Sequence, residues 1–398
     1  MTALATRITP EEIPTSEDLV ARAAALVPML RERAAEVEKN RAVPADIIAE
    51  FTKAGFFRIL QPRRWGGYEM EPIVFYRVLQ ELGRGCCNSA WNAMILGIHP
   101  WEFGLFDEQA GQDVWGADAD VIVASSYPPA GKTTKVEGGY ILDGRWPTSS
   151  GCDHGQWSIF GGLDFNAEGQ PIDRLALLVP RSDYEIIDDW HVFGLAGTGS
   201  KSVILKEVFV PQHRVHSMMD YSLGDRAATY LLPFNMVFYT AVSSVVLGFA
   251  QGAIDVFIET MQVRTDTGTG RPTALSPYVK DRLANAVAKV RSSRARIEQM
   301  MAEAMPIARR GELIPLEDRV HYMLDSARVG REAEEAVLLL FKAMGARGIY
   351  LSHPLQRILR DTIAGANHIT QDADNNAGVL GGMLLGQAVP PLLYARPE

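Results

Sequence analysis

The sequence predicts an α+β fold whose helices and strands are segregated along the chain rather than interleaved. Three observations carry this. Apolar residues follow helical spacing from 15 to about 115. Short runs rich in β-branched and aromatic residues occupy about 118 to 216. Long helical patterns return from about 226 to the end. The expected domains are therefore residues 1–117, helical; 118–225, β; and 226–398, a helical bundle.

Each block has its own local signals. Thr15 and Asp18 make a capping box, and Leu19, Ala23, Leu26, Leu30, Ala34 and Val37 then keep helical spacing. Pro28 is expected to kink that helix. A second, short helix starts after Pro44 and stops at Gly55. Phe75, Leu79 and Leu82 share a face of a third, which ends at Gly83 or Gly85. The strand block reads VIVASSY, YILDGRW, WSIFGG, LALLV and SVILKEVFV, with Gly138-Gly139 as a tight hairpin turn. Four long helices are expected over 234–263, 276–310, 317–345 and 355–386, packed as an antiparallel bundle.

Composition narrows the function. A formal net charge of -9 over 398 residues argues against a nucleic-acid binder. Three cysteines, Cys86, Cys87 and Cys152, make neither a disulfide framework nor a CxxC zinc site, so no metal site is expected. The N-terminus lacks a basic segment leading into an apolar core. The longest apolar run, Tyr239 to Ile258, carries Ser243, Ser244, Gln251 and Asp255, and reads as a buried bundle helix. A soluble, cytoplasmic protein is the expectation.

Among residues able to do chemistry, His368 in RILRDTIAGANHITQD stands first, because an imidazole exchanges a proton near neutral pH. Asp372, four residues on, falls on the same face if the segment is one helix, and is expected to orient the ring. GRWPTSSGCDH puts Trp146, Ser149 and Ser150 at a strand end, where a ring and hydroxyls can stack on and hydrogen-bond a flat heterocycle; a polar turn explains the same residues. His99 in GIHPWEF ends an apolar helix and either caps its carbonyls or enters a pocket. Arg264, at the end of a helix, can clamp a phosphate, and Gly345 and Gly348 mark another helix end open to a ligand. GLAGTGS and Gly268-Thr269-Gly270 lack GxGxxG spacing, so no nicotinamide site is expected.

Three segments in order carry a resemblance over nearly the whole chain. PRRWGGYEMEP, WHVFGLAGTGSKSVILKEVFVP and MGARGIYLSHPLQRILRD resemble the early, β-domain and late motifs of the acyl-CoA dehydrogenase superfold. The resemblance implies an N-terminal helical domain, a middle β-barrel domain and a C-terminal four-helix bundle, assembled as a homotetramer with flavin between the β domain and the bundle. Where those dehydrogenases keep a catalytic glutamate, this chain reads NHITQD. GRWPTSSGCDHGQW, His99 and His368 instead resemble the two-component flavin-dependent monooxygenases of that fold, such as hydroxylases of phenols and steroid-derived phenols and the dibenzothiophene monooxygenases.

This implies the oxygenase component of a two-component monooxygenase. Reduced flavin (FMNH2, with FAD as the alternative) would come from a separate NAD(P)H:flavin reductase. It would react with O2 to a C4a-hydroperoxyflavin that hydroxylates an aromatic substrate. By the same resemblance His368 takes the phenol proton, Ser149 (or Ser150) hydrogen-bonds flavin N5, and His99 lines the site. Arg264, Gly345 and Gly348 contact phosphate. N- or S-oxygenation on the same scaffold, a flavin dehydrogenase or dehydratase, and a binding protein without activity are the competing expectations.

Overall fold

The computed structural model describes residues 12–219 and 226–390. Helix α1 (Ser16–Asn40) opens on the expected capping box: Thr15 accepts from the Asp18 backbone, and the Asp18 carboxylate accepts from the Thr15 backbone. Leu19, Ala23, Val27, Leu30, Ala34 and Val37 form its buried stripe. Pro28 lies inside it, and the helix continues to Asn40. Helix α2 (Ala45–Lys53) follows Pro44. Gly55 then turns the chain at φ +84°, where a Cβ would stand 2.4 Å from the Tyr68 hydroxyl. Helices α3 (Pro72–Gly85), α4 (Cys87–Ile98) and α5 (Glu108–Trp115) complete the block, with a 3₁₀ segment His99–Gly104 between the last two.

Among the described residues eight strands follow: β1 (Val123–Ser126), β2 (Lys132–Val136), β3 (Gly139–Ser149), β4 (Trp157–Phe165), β5 (Pro171–Pro180), β6 (Glu185–Ile187), β7 (Lys201–Pro211) and β8 (Val215–Ser217). They form two four-stranded sheets, ordered β1-β4-β5-β8 and β2-β3-β7-β6. Only β1 and β4 run parallel among the pairs described. The hairpin at Gly138 is present, with φ +78°. Trp146 corrects an expectation. It is fully buried in the apolar cluster of this block with Phe160, Leu177 and Val203, and its indole N–H donates to the Gly161 carbonyl at 2.9 Å. Unshifted strand alternation along β3 sends Tyr140, Leu142 and Trp146 inward, so this ring is core rather than a stacking surface.

The chain then enters α6 (Phe234–Val263), α7 (Pro277–Arg309) and α8 (Leu316–Met344), close to the expected spans. Helix α6 is apolar and buried along most of its length. It crosses α3 closely: a Cβ on Gly83 would meet Gly248 Cα at 2.8 Å. The expected helix 355–386 is broken. Helix α9 (Pro354–Ala366) ends at Asn367, a 3₁₀ turn covers Ile369–Gln371, and α10 (Ala373–Leu384) begins anew. His368 sits in the break with extended backbone, φ -62° and ψ 142°.

Candidate active site

Asp361 of α9 ties the three blocks together. Its buried carboxyl accepts from Asn88 Nδ2 of α4 at 3.0 Å and from the Leu195 backbone of the β block at 2.6 Å. Burial pushes it up to about 7 despite the Leu195 hydrogen bond. One turn beyond Asn88 lies Trp91, whose indole N–H donates to Ser150 Oγ at 3.2 Å. Ser150 shares a hydrogen bond with Ser200 at 2.6 Å, and Ser200 shares one with Thr198 at 2.6 Å. On its other side, the Trp91 ring meets His368 edge-on, centroids 5.6 Å apart. Helix α4, the end of β3, the 194–200 loop and the α9–α10 break thus converge on one spot.

The structure reassigns two of the expected groups. Ser149 is fully buried and its hydroxyl donates to the Ser125 carbonyl at 2.9 Å, so the serine turned toward Trp91 is Ser150. Asp372 does not share a helix face with His368. Its carboxylate accepts from the Asn375 backbone at 3.0 Å and caps α10. The partner of the imidazole is Thr370: Nδ1 lies 2.9 Å from Thr370 Oγ1 and 3.3 Å from the Thr370 backbone N–H. Burial alone drives His368 down to about 4, so the ring is neutral at physiological pH and Nε2 is left for a ligand.

His99 belongs to a second polar group that sequence spacing did not assemble. It is fully buried, and Nδ1 lies 3.1 Å from Glu102 Oε1 and 3.0 Å from the Tyr127 hydroxyl. Tyr127 also donates to Glu102 Oε1. Glu102 Oε2 lies 3.0 Å from Nε2 of His216 on β8. Burial of Glu102 favours its neutral form, but the hydrogen bonds from His216 and His99 outweigh that and hold it below the ordinary carboxylate range. Tyr127 is pushed well up by burial and by Glu102, and stays protonated. Phe234 and Phe238, stacked 4.1 Å apart, wall this group, with Phe238 5.8 Å from the His99 ring.

The i, i+3 spacing of His99 and Glu102 was a readable signal; Tyr127 and His216 had none, since they arrive from the β block. Asn88, Trp91, Asn92 and His99 fall on one face of the α4 helical path. Asn88 Oδ1, Asn92 Oδ1 and His99 Nε2 on it are buried without a hydrogen-bond partner.

Arg264, Gly345 and Gly348 form a third group. Arg264 Nη1 donates to the Met344 carbonyl at 2.8 Å, closing the C-terminus of α8 just before Gly345, which turns at φ +64°. Arg264 Nε is buried without a partner. Gly348 is buried in the following 3₁₀ segment. These hydrogen bonds join α6 to α8 and do not include Trp91, Ser150 or His368.

Residues 16–104 match the family of the acyl-CoA dehydrogenase N-terminal domain, and residues 240–373 match an acyl-CoA dehydrogenase C-terminal domain family. The chain is 37% identical over 358 residues to the flavin-dependent monooxygenase oxygenase subunit HsaA of Rhodococcus jostii, covering 88% of this chain and 94% of that one. It is 33% identical to the oxygenase component of an FADH2-dependent resorcinol hydroxylase from Rhizobium sp., covering 92% and 94%. The crystal structure of 3-HSA hydroxylase from Rhodococcus sp. RHA1 superposes with TM-score 0.89 at 36% identity, covering 94% and 98%. With this fold, this order of site elements and this likeness, the chain belongs to the acyl-CoA dehydrogenase-like oxidoreductases, in their branch of flavin-dependent monooxygenase oxygenase subunits.

Proposed function

We propose that the protein hydroxylates an aromatic substrate bearing a phenolic hydroxyl, using reduced flavin from a separate reductase. The observation that carries this is the meeting of Ser150, Trp91 and His368, where three parts of the chain bring a hydroxyl, an aromatic ring and a neutral imidazole together. Buried acceptors without partners, Asn92 Oδ1 and His99 Nε2, on the α4 path beside that spot suit a flat ligand with several N–H and O–H groups. A flavin fits that donor set.

When bound, reduced flavin supplies the electrons that activate dioxygen. The protein's own part is to bind, to exclude water and to handle one proton. Ser150, held by Trp91 and Ser200, offers its hydroxyl to the flavin edge. His368 presents Nε2 to the phenolic hydroxyl and handles its proton there, while Nδ1, which faces Thr370 Oγ1 and accepts from the Thr370 backbone N–H, is held by Thr370 in the orienting role expected of Asp372. The resulting phenolate is the more electron-rich ring. Trp101, Phe234 and Phe238 keep the neighbouring space apolar. Arg264 and Gly345 are the proposed phosphate holders, and a homotetramer in the cytoplasm is the proposed setting.

The test is oxygen consumption by purified protein given chemically reduced FMN or FAD and a panel of phenols, without NAD(P)H. Hydroxylated product is expected with at least one phenol. Oxygen use that yields only hydrogen peroxide across the panel would reject the reading.

A further inference from the structure

The hydroxyls behind Ser150 form a row whose direction follows from its far end. Thr198 Oγ1 lies 2.8 Å from the Leu195 carbonyl, which can only accept, so the one hydroxyl proton of Thr198 is spent there. In the 2.6 Å contact between Thr198 and Ser200, Ser200 is therefore the donor. With that proton used, Ser150 is the donor in its 2.6 Å contact with Ser200. Ser150 in turn accepts from the Trp91 indole N–H at 3.2 Å. Its own proton points back into the protein, and what remains for a ligand is a lone pair.

The row is anchored at Leu195, which stands in the left-handed region at φ 53° and ψ 33°, a conformation that a leucine rarely adopts. Its carbonyl also accepts from the Trp190 indole N–H at 3.0 Å and from the Thr198 backbone at 3.2 Å. Its N–H donates to Asp361 Oδ1 at 2.6 Å, and the other carboxyl oxygen accepts from Asn88 Nδ2 at 3.0 Å. Gly194 lets the loop lie flush on α9: a Cβ there would stand 2.1 Å from the Arg360 carbonyl oxygen. Asn88 and Trp91 are both on α4, so the contacts close a ring from Asp361 through the hydroxyl row to Trp91, and along α4 back to Asp361.

We propose that Asp361 is a positioning residue: it holds Leu195 in that turn, the Leu195 carbonyl fixes the direction of the hydroxyl row, and Ser150 meets its ligand as a hydrogen-bond acceptor only. An acceptor at this point favours a ring edge that carries an N–H over one that carries a bare nitrogen. The inference rests on the flavin reading, since reduced flavin has a proton on its central-ring nitrogen N5 where oxidised flavin has a lone pair. No bond is made or broken. Asp361 acts, through four intervening residues, on which form of the ligand is held.

The test is a ratio of affinities rather than turnover. FMN, and FAD in parallel, is titrated into the full-length protein in the oxidised form and, anaerobically, in the reduced form. The parent is expected to bind the reduced form more tightly. Thr198→Val removes the hydroxyl that takes the Ser200 proton, so Ser200 is free to donate to Ser150 and the Ser150 proton is free to meet the ligand. The preference for reduced flavin is expected to fall about tenfold, the worth of a hydrogen bond moved from one form to the other. Asp361→Leu releases Leu195 and is expected to do the same from the far end of the row. Asp361→Asn is expected to keep the preference: its carbonyl accepts from Leu195, and its amide N–H donates to Asn88 Oδ1, which is buried without a partner.

A merely structural Asp361 would weaken both forms alike and leave the ratio where it was, and that result in Asp361→Leu overturns the proposal. Should Asp361→Leu not fold, an unmoved ratio in Thr198→Val overturns it equally, because the row then does not set the direction of Ser150. A ratio lowered in Asp361→Asn overturns the part given to the Leu195 hydrogen bond. Parent protein that binds both forms with equal affinity overturns this inference alone. Parent protein that binds neither form overturns the flavin reading together with it.

Discussion

At the scale of single residues, hydroxyls and imidazoles that look equivalent in sequence separate by what they touch. Ser149 and Ser150 are neighbours, yet one hydroxyl is spent on Ser125 and the other is held between Trp91 and Ser200. Ser150→Ala is expected to raise the fraction of oxygen released as hydrogen peroxide, measured against product formed. Ser149→Ala is expected to leave that fraction unchanged and to cost stability of about 1–3 kcal/mol, because the buried Ser125 carbonyl loses its donor. For His368→Ala, reduced-flavin binding is expected to persist while hydroxylation slows by about 10²–10⁴-fold, the usual worth of general-base help. Equal single-turnover product yields and rates in variant and parent would contradict that role.

His368 and the pair Ser149–Ser150 stood out in the sequence because their types suit the chemistry and their segments resemble known motifs, but the preference for Ser149 could not foresee that Ser150 is the one turned toward Trp91. Trp91, Thr370 and His216 could not, since their roles exist only once four separate segments meet. Trp146 was misjudged for a physical reason: a tryptophan at a strand end reads equally as a stacking surface or as core, and only the packing of the face it shares with Tyr140 and Leu142 against Phe160 and Val203 decides for core.

At the scale of elements, the break between α9 and α10 is what creates the site. A continuous helix over 355–386 would carry residue 368 on a regular turn. Instead Asn367 closes α9, His368 caps a 3₁₀ turn and Asp372 caps α10. The capping types Asn and Asp were in the sequence, but apolar periodicity on both sides hid the interruption. Asp372→Ala is expected to cost about 0.5–2 kcal/mol by loss of an N-cap, read from chemical denaturation, with little change in hydroxylation rate. Thr370→Val is expected to do the reverse: a modest stability change, and a clear loss of rate through a mis-set His368 ring. The ends of α6, α7 and α8 were legible to within a residue or two because their stripes run uninterrupted into proline or glycine boundaries.

At the scale of the whole molecule, Asp361 and His368 make stability depend on pH in opposite senses. His368 is held at about 4 by burial, below its ordinary 6.5, so the unfolded chain takes up a proton first. The stability linked to that ring is complete above about pH 6.5 and is lost as pH falls toward 4. Asp361 is raised by burial from 3.8 to about 7, so its contribution is fullest below about 3.8 and is lost as pH rises through 7. Asp361→Asn should therefore melt progressively higher relative to the parent as pH rises from 4, levelling off above 7. A difference in melting temperature that is flat with pH would show that this carboxyl does not titrate across the junction.

The segregated order of helix, strand and helix was plain in the sequence; the junction through Asn88, Leu195 and Asp361 was not, because it joins residues far apart in the chain.

The central claim is that this scaffold places one atom of dioxygen into a phenolic ring with electrons from flavin reduced elsewhere. A single-turnover reaction of the protein with chemically reduced flavin, a phenol and isotope-labelled dioxygen tests it most directly, by mass spectrometry of the product. The account predicts one labelled oxygen atom in the ring. Product carrying only solvent oxygen, or the same turnover in the absence of dioxygen, would contradict it.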